Sequence, residues 1–356
     1  MIGDALGNYR LVAQIGSGSM GIVFLAEHQR IARRVAIKLL APELVRDQKA
    51  LQRFFNEARA TSLIRHPGIV DVFDCDVDAT GRAYIVLEHL EGETLAGRLL
   101  RAGKLHWSAA AFIARRVADA LGAAHEKGIV HRDLKPENIF LLGVGRDPHA
   151  AVKVLDFGVA KLLAADPVVR LTTRGTLVGT PEYMSPEQCA GTDVDHRADV
   201  YALGCILFEM LTGQPPFVTS TLRELALAHR FLAPPSAAAI CPDLPEWLGD
   251  LLGQMLAKEP DRRPRSMHEV SKALSQYKAQ RTHLTTTLRT AEQTARHPAG
   301  IPGPRGQAPA IVERAGRRRA EATIALVAVV VLAAAVWSVR RTEVVGPPAG
   351  ISVGGK

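Results

Sequence analysis

Four short segments carry residues suited to handling phosphate groups. The first is Gly16-Ser17-Gly18-Ser19-Met20-Gly21-Ile22-Val23, whose glycines remove the Cβ atoms that would keep backbone N–H groups away from phosphate oxygens. In the second, Val35-Ala36-Ile37-Lys38, a lysine stands in an apolar strand pattern. That position is costly unless an anion meets the ammonium, and both a phosphate and the carboxylate of Glu57 qualify. The third is His131-Arg132-Asp133-Leu134-Lys135-Pro136-Glu137-Asn138. It supplies a carboxylate that can accept a hydroxyl proton, a cation beside it, and an amide oxygen that can bind a metal. Asp156-Phe157-Gly158 is the fourth and adds another oxygen ligand of the kind Mg²⁺ prefers. A glycine-rich turn alone is a weak signal, because it also opens dinucleotide-binding units. Here it joins two strands, where a dinucleotide fingerprint needs a strand followed by a helix.

The elements that must position these residues fall into two groups. Tyr9–Ile15, Val23–His28, Arg34–Leu39, Val70–Asp76 and Ala83–Glu88 are rich in β-branched and aromatic residues and predict strands. Asp47–Ile64 carries Leu51, Phe54, Phe55 and Ala58 at helical spacing and puts Glu57 on that helix. From Ser108 onward helices dominate. Ser108–Lys127 has Ser108 as its expected N-cap, and Ala198–Thr212 stops at Gly213. Leu244–Ala257, with Pro245 in its first turn, and Ser266–Tyr277 complete the set, while Ala151–Leu155 reads as a strand leading into Asp156. The expected class is α+β, with a small β-rich lobe ahead of a larger helical one.

In this order and setting, residues 9–277 resemble the eukaryotic-like protein kinase family, and in particular its bacterial serine/threonine members. Gly179-Thr180-Pro181-Glu182-Tyr183-Met184-Ser185-Pro186-Glu187 is similar to the family's P+1 loop and Ala-Pro-Glu segment, with Ser185 in place of Ala. The resemblance implies a bilobal kinase fold with an N-lobe over 9–90 and a C-lobe over 91–277. It implies ATP and Mg²⁺ as cofactors and protein Ser/Thr hydroxyls as acceptors. Lys38 then holds the α- and β-phosphates and pairs with Glu57, Asp133 orients the hydroxyl and takes its proton, and Lys135 neutralises the γ-phosphate. Asn138 and Asp156 ligate the metal. Ile15 through Gly21, Val23, Ala36 and Phe140 surround the nucleotide, Leu87 is the gatekeeper, and Glu88 to Leu90 form the hinge. Thr180, Glu187, Asp199 and Arg263 are structural by the same resemblance.

Leu-Lys-Pro-Glu after Asp133 and Thr180 before Pro181 select the serine/threonine class. A nucleotide-binding scaffold without turnover is the rival reading, and the complete set of Lys38, Glu57, Asp133, Asn138 and Asp156 weighs against it. Leu142–Ala150 is longer than the family's usual turn and reads as a surface insertion. Regulation is expected at Thr176, Thr172 and Thr173, because Arg132, Lys161 and Arg53 occupy family positions where three cations converge and await a phosphate. Autophosphorylation between copies implies self-association.

Net charge is +8, but residues 1–277 balance 32 Lys and Arg against 32 Asp and Glu. The excess lies in residues 278–341, with 11 basic and 3 acidic residues, so a nucleic-acid-binding face on the main body is not expected. Residues 278–320 read as a Pro/Gly/Arg-rich linker. Ala322–Val339 then runs without a charge between Arg317-Arg318-Arg319 and Arg340-Arg341. At 1.5 Å per residue it spans about 27 Å, close to a ~30 Å hydrocarbon core, with Trp337 at an interface position. One membrane-spanning helix is expected, with a short tail at 340–356 and the kinase domain in the cytoplasm. About 15 residues after the span are too few for a sensor domain of their own. Four scattered cysteines suit a reducing compartment, and no signal peptide is expected at the N-terminus.

Overall fold

The computed structural model describes residues 1–18, 20–143, 151–157 and 181–275. The first half builds a six-stranded antiparallel sheet from β1 (Ala5–Leu6), β2 (Tyr9–Gly18), β3 (Gly21–His28), β4 (Arg34–Leu40), β5 (Val72–Val77) and β6 (Ala83–Glu88). Its spatial order is β1-β2-β3-β4-β6-β5. Every residue of β4 after Arg34 is buried, because the strand is central and both its faces are covered. A short α1 (Pro42–Val45) leads to α2 (Gln48–Ser62), whose start is capped by Asp47 accepting from the Lys49 N–H at 2.9 Å. Phe54 and Ala58 of α2 pack with Leu40, Ala83 and Ile85 of the sheet. Glu57 lies on the same buried stripe.

The second half begins with β7 (Gly92–Thr94) and α3 (Leu95–Ala102), followed by α4 (Trp107–His125). Two strands, β8 (Ile139–Leu142) and β9 (Val152–Val154), join β7 in a small antiparallel sheet. The remaining helices are α5 (Pro186–Ala190), α6 (Arg197–Thr212), α7 (Leu222–Phe231), α8 (Ala237–Ile240), α9 (Glu246–Met255) and α10 (Met267–Leu274). α6 is apolar on nearly all sides and is buried on nearly all sides, from Ala198 to Leu211. Each fully buried Leu or Phe in this core contributes about 1.5–3 kcal/mol over its exposed state. α4 packs against α6 and α10 through small residues, Ala110, Ala114, Ala118 and Ala124 among them, which let the helices approach closely. Gly213 ends α6 in a left-handed conformation, φ 89°.

The two halves meet through main chain. Ile69 bridges Val154 in parallel, the Val70 N–H donates to the Val154 carbonyl at 3.1 Å, and the Val154 N–H donates to the Gly68 carbonyl at 2.8 Å. The expected β-rich lobe and helical lobe are both present. Several boundaries move. The strand expected to stop at Ile15 continues to Gly18, because the glycine-rich turn is itself a β2–β3 ladder that pairs Gly18 with Gly21. α4 starts one residue before Ser108, and its cap is His106, whose Nδ1 accepts from the Ser108 N–H. Pro245 precedes α9 as its cap residue rather than entering the first turn. Residues 276 and 277 of the last expected helix lie outside the described residues, as do 144–150 of the expected insertion and the expected span at 322–339. Among the described residues no helix is long and apolar enough to cross a membrane.

Candidate active site

Lys38 sits in the middle of β4, opposite Val23 on β3 and Ile85 on β6. Its Nζ lies 2.9 Å from Glu57 Oε1 and 3.0 Å from Asp156 Oδ1. Burial opposes the ammonium, but the charges of Asp156 and Glu57 outweigh it and hold the Lys38 pKa above its ordinary value. Glu57 is pushed the same way: burial raises its carboxyl, and Asp156 adds repulsion that the shared Lys38 does not cancel. One ammonium thus serves two carboxylates. Asp133 and Lys135 add a second carboxylate–ammonium pair among the described residues.

Gly21 is fixed by packing, since a Cβ there would stand 1.9 Å from the main-chain oxygen of Leu39. Gly18 has open space on that side, with nothing within 4 Å of a Cβ. Ile15 is half exposed at the mouth of the turn, and Ser19 lies outside the described residues. Ala36 pairs with Leu25 on one side and with Leu87 on the other, while Phe140 pairs with Thr94 and Lys153 on the second sheet. Ser17 faces Ile22 across the hairpin, and Met20 accepts from the Ala41 N–H through its carbonyl at 2.9 Å. Glu88 ends β6, and Leu90 follows in the connection to β7.

The catalytic-loop residues are held by a buried carboxylate. Asp199, 1% exposed, accepts from the His131 N–H at 2.8 Å, the Arg132 N–H at 2.9 Å and His125 Nε2 at 2.8 Å. Burial opposes its ionisation, yet the hydrogen bond from His125 and its neighbours keep its pKa below the ordinary value. These bonds hold Arg132 at φ 61°, a conformation costly for a side chain bearing a Cβ. His131 is fully buried and its pKa is lowered by burial, so the ring is neutral. Its Nδ1 accepts from the Asp133 N–H at 3.3 Å, which leaves the proton on Nε2 for the Leu155 carbonyl at 3.0 Å. Asp133 Oδ2 lies 3.4 Å from Lys135 Nζ, and Asn138 Nδ2 donates to the Asp133 carbonyl at 2.9 Å. The amide oxygen of Asn138 remains as the acceptor end of that side chain. Asp156, at φ 42°, is the second strained non-glycine residue in the cleft, and Phe157 beside it is buried against the His131 ring at 4.9 Å.

Below the cleft, Glu187 and Arg263 form a two-pronged pair at 2.7 and 2.8 Å. Gln188 of the same helix donates to the Arg132 carbonyl at 2.9 Å, tying α5 to the catalytic loop. The structure therefore brings together Lys38, Glu57, Asp133, Lys135, Asn138 and Asp156, and it places Glu187, Asp199 and Arg263 beneath them. Thr172, Thr173, Thr176 and Thr180 lie outside the described residues, as does Lys161. Arg132 donates to the Val194 carbonyl at 3.2 Å, and Arg53 to the Lys49 carbonyl at 3.1 Å with Asp47 beyond at 3.8 Å. Three residues escaped the sequence reading. His125 supports Asp199 from 74 residues away, Gln188 reads as an ordinary helix residue, and Lys153 ion-pairs with Glu88 while donating to the Ile69 carbonyl at 3.1 Å. Only the alternation in Val152–Val154 hinted at Lys153.

The family profile for the protein kinase domain matches residues 9–274. The serine/threonine-protein kinase Pkn1 of Myxococcus xanthus is 45% identical over 278 residues, 77% of this chain and 39% of that protein. The serine/threonine-protein kinase PknA of Mycobacterium tuberculosis is 38% identical over 279 residues, 77% of this chain and 62% of its own length. The chain thus spans between about two fifths and three fifths of these curated relatives. The crystal structure of the Mycobacterium tuberculosis PknI kinase domain is similar at a TM-score of 0.60 and 28% identity, covering 78% of this chain and 98% of that one. With its β-rich and helical lobes on either side of the Lys38–Asp156 cleft, the chain belongs to the protein kinase family, and the relatives it resembles are bacterial serine/threonine-protein kinases.

Proposed function

We propose that this chain is a serine/threonine protein kinase that moves the γ-phosphate of ATP to Ser and Thr hydroxyls of protein substrates. The observation that carries the reading is one lysine ammonium held at 2.9 and 3.0 Å between Glu57 and Asp156, with Asp133 and Lys135 paired across from it. A pseudokinase is disfavoured, because none of those groups is replaced. Lys38 orients the α- and β-phosphates, and Glu57 fixes where Lys38 points. Asp133 accepts the proton of the incoming hydroxyl, and Lys135 balances charge on the transferred group. Ile15 to Gly21 cover the phosphates, while Val23, Ala36, Phe140 and the Glu88–Leu90 hinge enclose the adenine. Such an arrangement works by positioning and by charge stabilisation rather than by covalent chemistry.

The residues present fit Mg²⁺. Asn138 and Asp156 offer hard oxygen donors, and the Asp156 carboxylate reaches solvent on the side away from Lys38. When bound there, the metal supplies neutralisation of phosphate oxygens. The linker at 278–320, the span at 322–339 and the tail at 340–356 are proposed to anchor a cytoplasmic kinase domain to a membrane by one helix. Four arginines at 314 and 317–319, against two at 340–341, support that orientation. Autophosphorylation in trans at Thr176, Thr172 or Thr173 is the proposed switch.

Phosphosite mapping after incubation with labelled ATP and a generic basic protein tests the function. Phosphoserine and phosphothreonine on the added protein, and phosphate on the three threonines of the wild type but not of Lys38→Met, are expected. Phosphotyrosine alone, or label on neither, overturns it. Full-length protein that stays soluble without detergent removes the anchor.

A further inference from the structure

Lys258 follows α9, is half-buried, and has no part in the chemistry above. Its Nζ donates to the carbonyls of His229 at 2.7 Å and Ala228 at 3.3 Å, in the last turn of α7, and lies 3.5 Å from the Tyr201 hydroxyl. The ammonium also stands over the Phe217 ring, 4.4 Å from its centre. The Ala228 carbonyl also accepts from the Leu232 N–H at 3.0 Å, whereas His229 lies among the last four carbonyls of the helix, where a cation is favoured. The main chain of the same residue is held from the other side, its carbonyl accepting from Arg263 Nη2 at 2.8 Å. That nitrogen also bonds Glu187 Oε2. α7 packs against α5 and the turn Pro181–Tyr183, and α5 reaches the catalytic loop through Gln188 and the Arg132 carbonyl.

We propose that Lys258 is a positioning residue for the protein substrate: it clamps the end of α7 to the Glu187–Arg263 pair, so that the segment Pro181–Ala190 keeps its place beside Asp133. The inference rests on the kinase reading. Retaining an ammonium here opposes folding, because burial lowers its pKa to about 8 against an ordinary value of 10.5. A group whose charged form is disfavoured in the folded state adds nothing to stability below that pH. The contacts that receive the charge, the His229 and Ala228 carbonyls and the Phe217 ring, all hold the end of α7 or its neighbour in place.

The pH range is clean. Among the groups facing Lys258, burial holds His229 at about 4 and pushes Cys189 to about 12. The Tyr201 hydroxyl and the Cys205 thiol are also raised by burial, and the guanidinium of Arg263 is the other cation. Discharge of Lys258 is then the local event as pH passes 8.

Steady-state kinetics and thermal unfolding of Lys258→Met and Lys258→Arg test this. Lys258→Met is expected to remain folded at the assay temperature. Its KM for a protein substrate should rise roughly three- to tenfold while KM for ATP stays within about twofold. Lys258→Arg keeps a donor and should return the protein KM to within about twofold of wild type. In the wild type that KM climbs above pH 8, and in Lys258→Met it does not. An unmoved protein KM in Lys258→Met, equal rises in both KM values, or an Arg variant as impaired as the Met variant each overturns the inference. Absence of phosphate transfer by the wild type overturns the kinase reading and this inference with it. Normal transfer with an unmoved KM in Lys258→Met overturns this inference alone.

Discussion

Two buried pairs of carboxylate and cation, one in each half of the molecule, are built on opposite plans. In the helical half, all five N–H groups of Arg263 have acceptors. Glu187 takes two, and the carbonyls of Ala257, Arg197 and Lys258 take the rest at 2.8 to 3.0 Å. In the sheet half, Lys38 is divided between Glu57 and Asp156, and the Asp156 side chain is 45% exposed. A completed pair holds structure and has no reason to respond to anything. One left short of positive charge is receptive to a metal ion that accompanies phosphate.

The comparison breaks most readily at the two cations. Arg263→Met strands a buried carboxylate and is expected to cost about 3–5 kcal/mol of stability, read from chemical unfolding. Lys38→Met should cost about 1 kcal/mol or less, because Asp156 reaches solvent and Glu57 can hold a proton, yet phosphate transfer should fall about 10²–10³-fold. Equal losses of stability in the two variants would erase the distinction.

The glycine-rich turn sharpens it on a smaller scale. Gly21→Ala forces a Cβ onto the main chain of Leu39 and should cost about 1–3 kcal/mol, because β3 and β4 must separate there. Gly18→Ala meets nothing within 4 Å and should leave stability within about 0.5 kcal/mol while raising KM for ATP. A Gly18→Ala protein that unfolds early would place the turn with the structural pair.

The smallest expected effect is one of pH. Burial first, then repulsion from Asp156, raises the Glu57 carboxyl to about 7. Its contribution to stability is complete below the ordinary value of 4.5 and is lost as pH rises through 7. Between pH 5 and 8 the wild-type melting temperature should fall relative to that of Glu57→Gln. Parallel curves would show that Lys38 fully compensates the pair.

What was legible in the sequence follows the same divide. Lys38 could be read because a lysine stands in an apolar strand pattern, Glu57 as its partner on the following helix, and Asp133, Asn138 and Asp156 because they stand in short ordered motifs. α6 could be read because its apolar run is long and ends at Gly213. The supports could not. His125 and Gln188 act on Asp199 and Arg132 from distant elements, and only the fold brings them close. The left-handed backbone of Arg132 leaves no mark in residue types, since Arg is a poor choice for it. α3 and α7 were not expected, although Thr94 and Thr221 cap their starts by accepting from the Gly97 and Glu224 N–H groups. His106 was missed as a cap because Ser108 is the commoner capping residue.

The central claim is that the cleft transfers phosphate by placing Asp133 against a substrate hydroxyl. The most direct measurement is the rate of phosphate transfer from ATP to a Ser/Thr protein substrate by purified Asp133→Asn, set against wild type at saturating ATP, with the melting temperature taken on the same samples. The account predicts a fall of about 10²–10⁴ in rate with the melting temperature nearly unchanged, because Asp133 is held through its main chain to His131 and Asn138 while its carboxylate faces Lys135. Transfer at the wild-type rate by Asp133→Asn would contradict it.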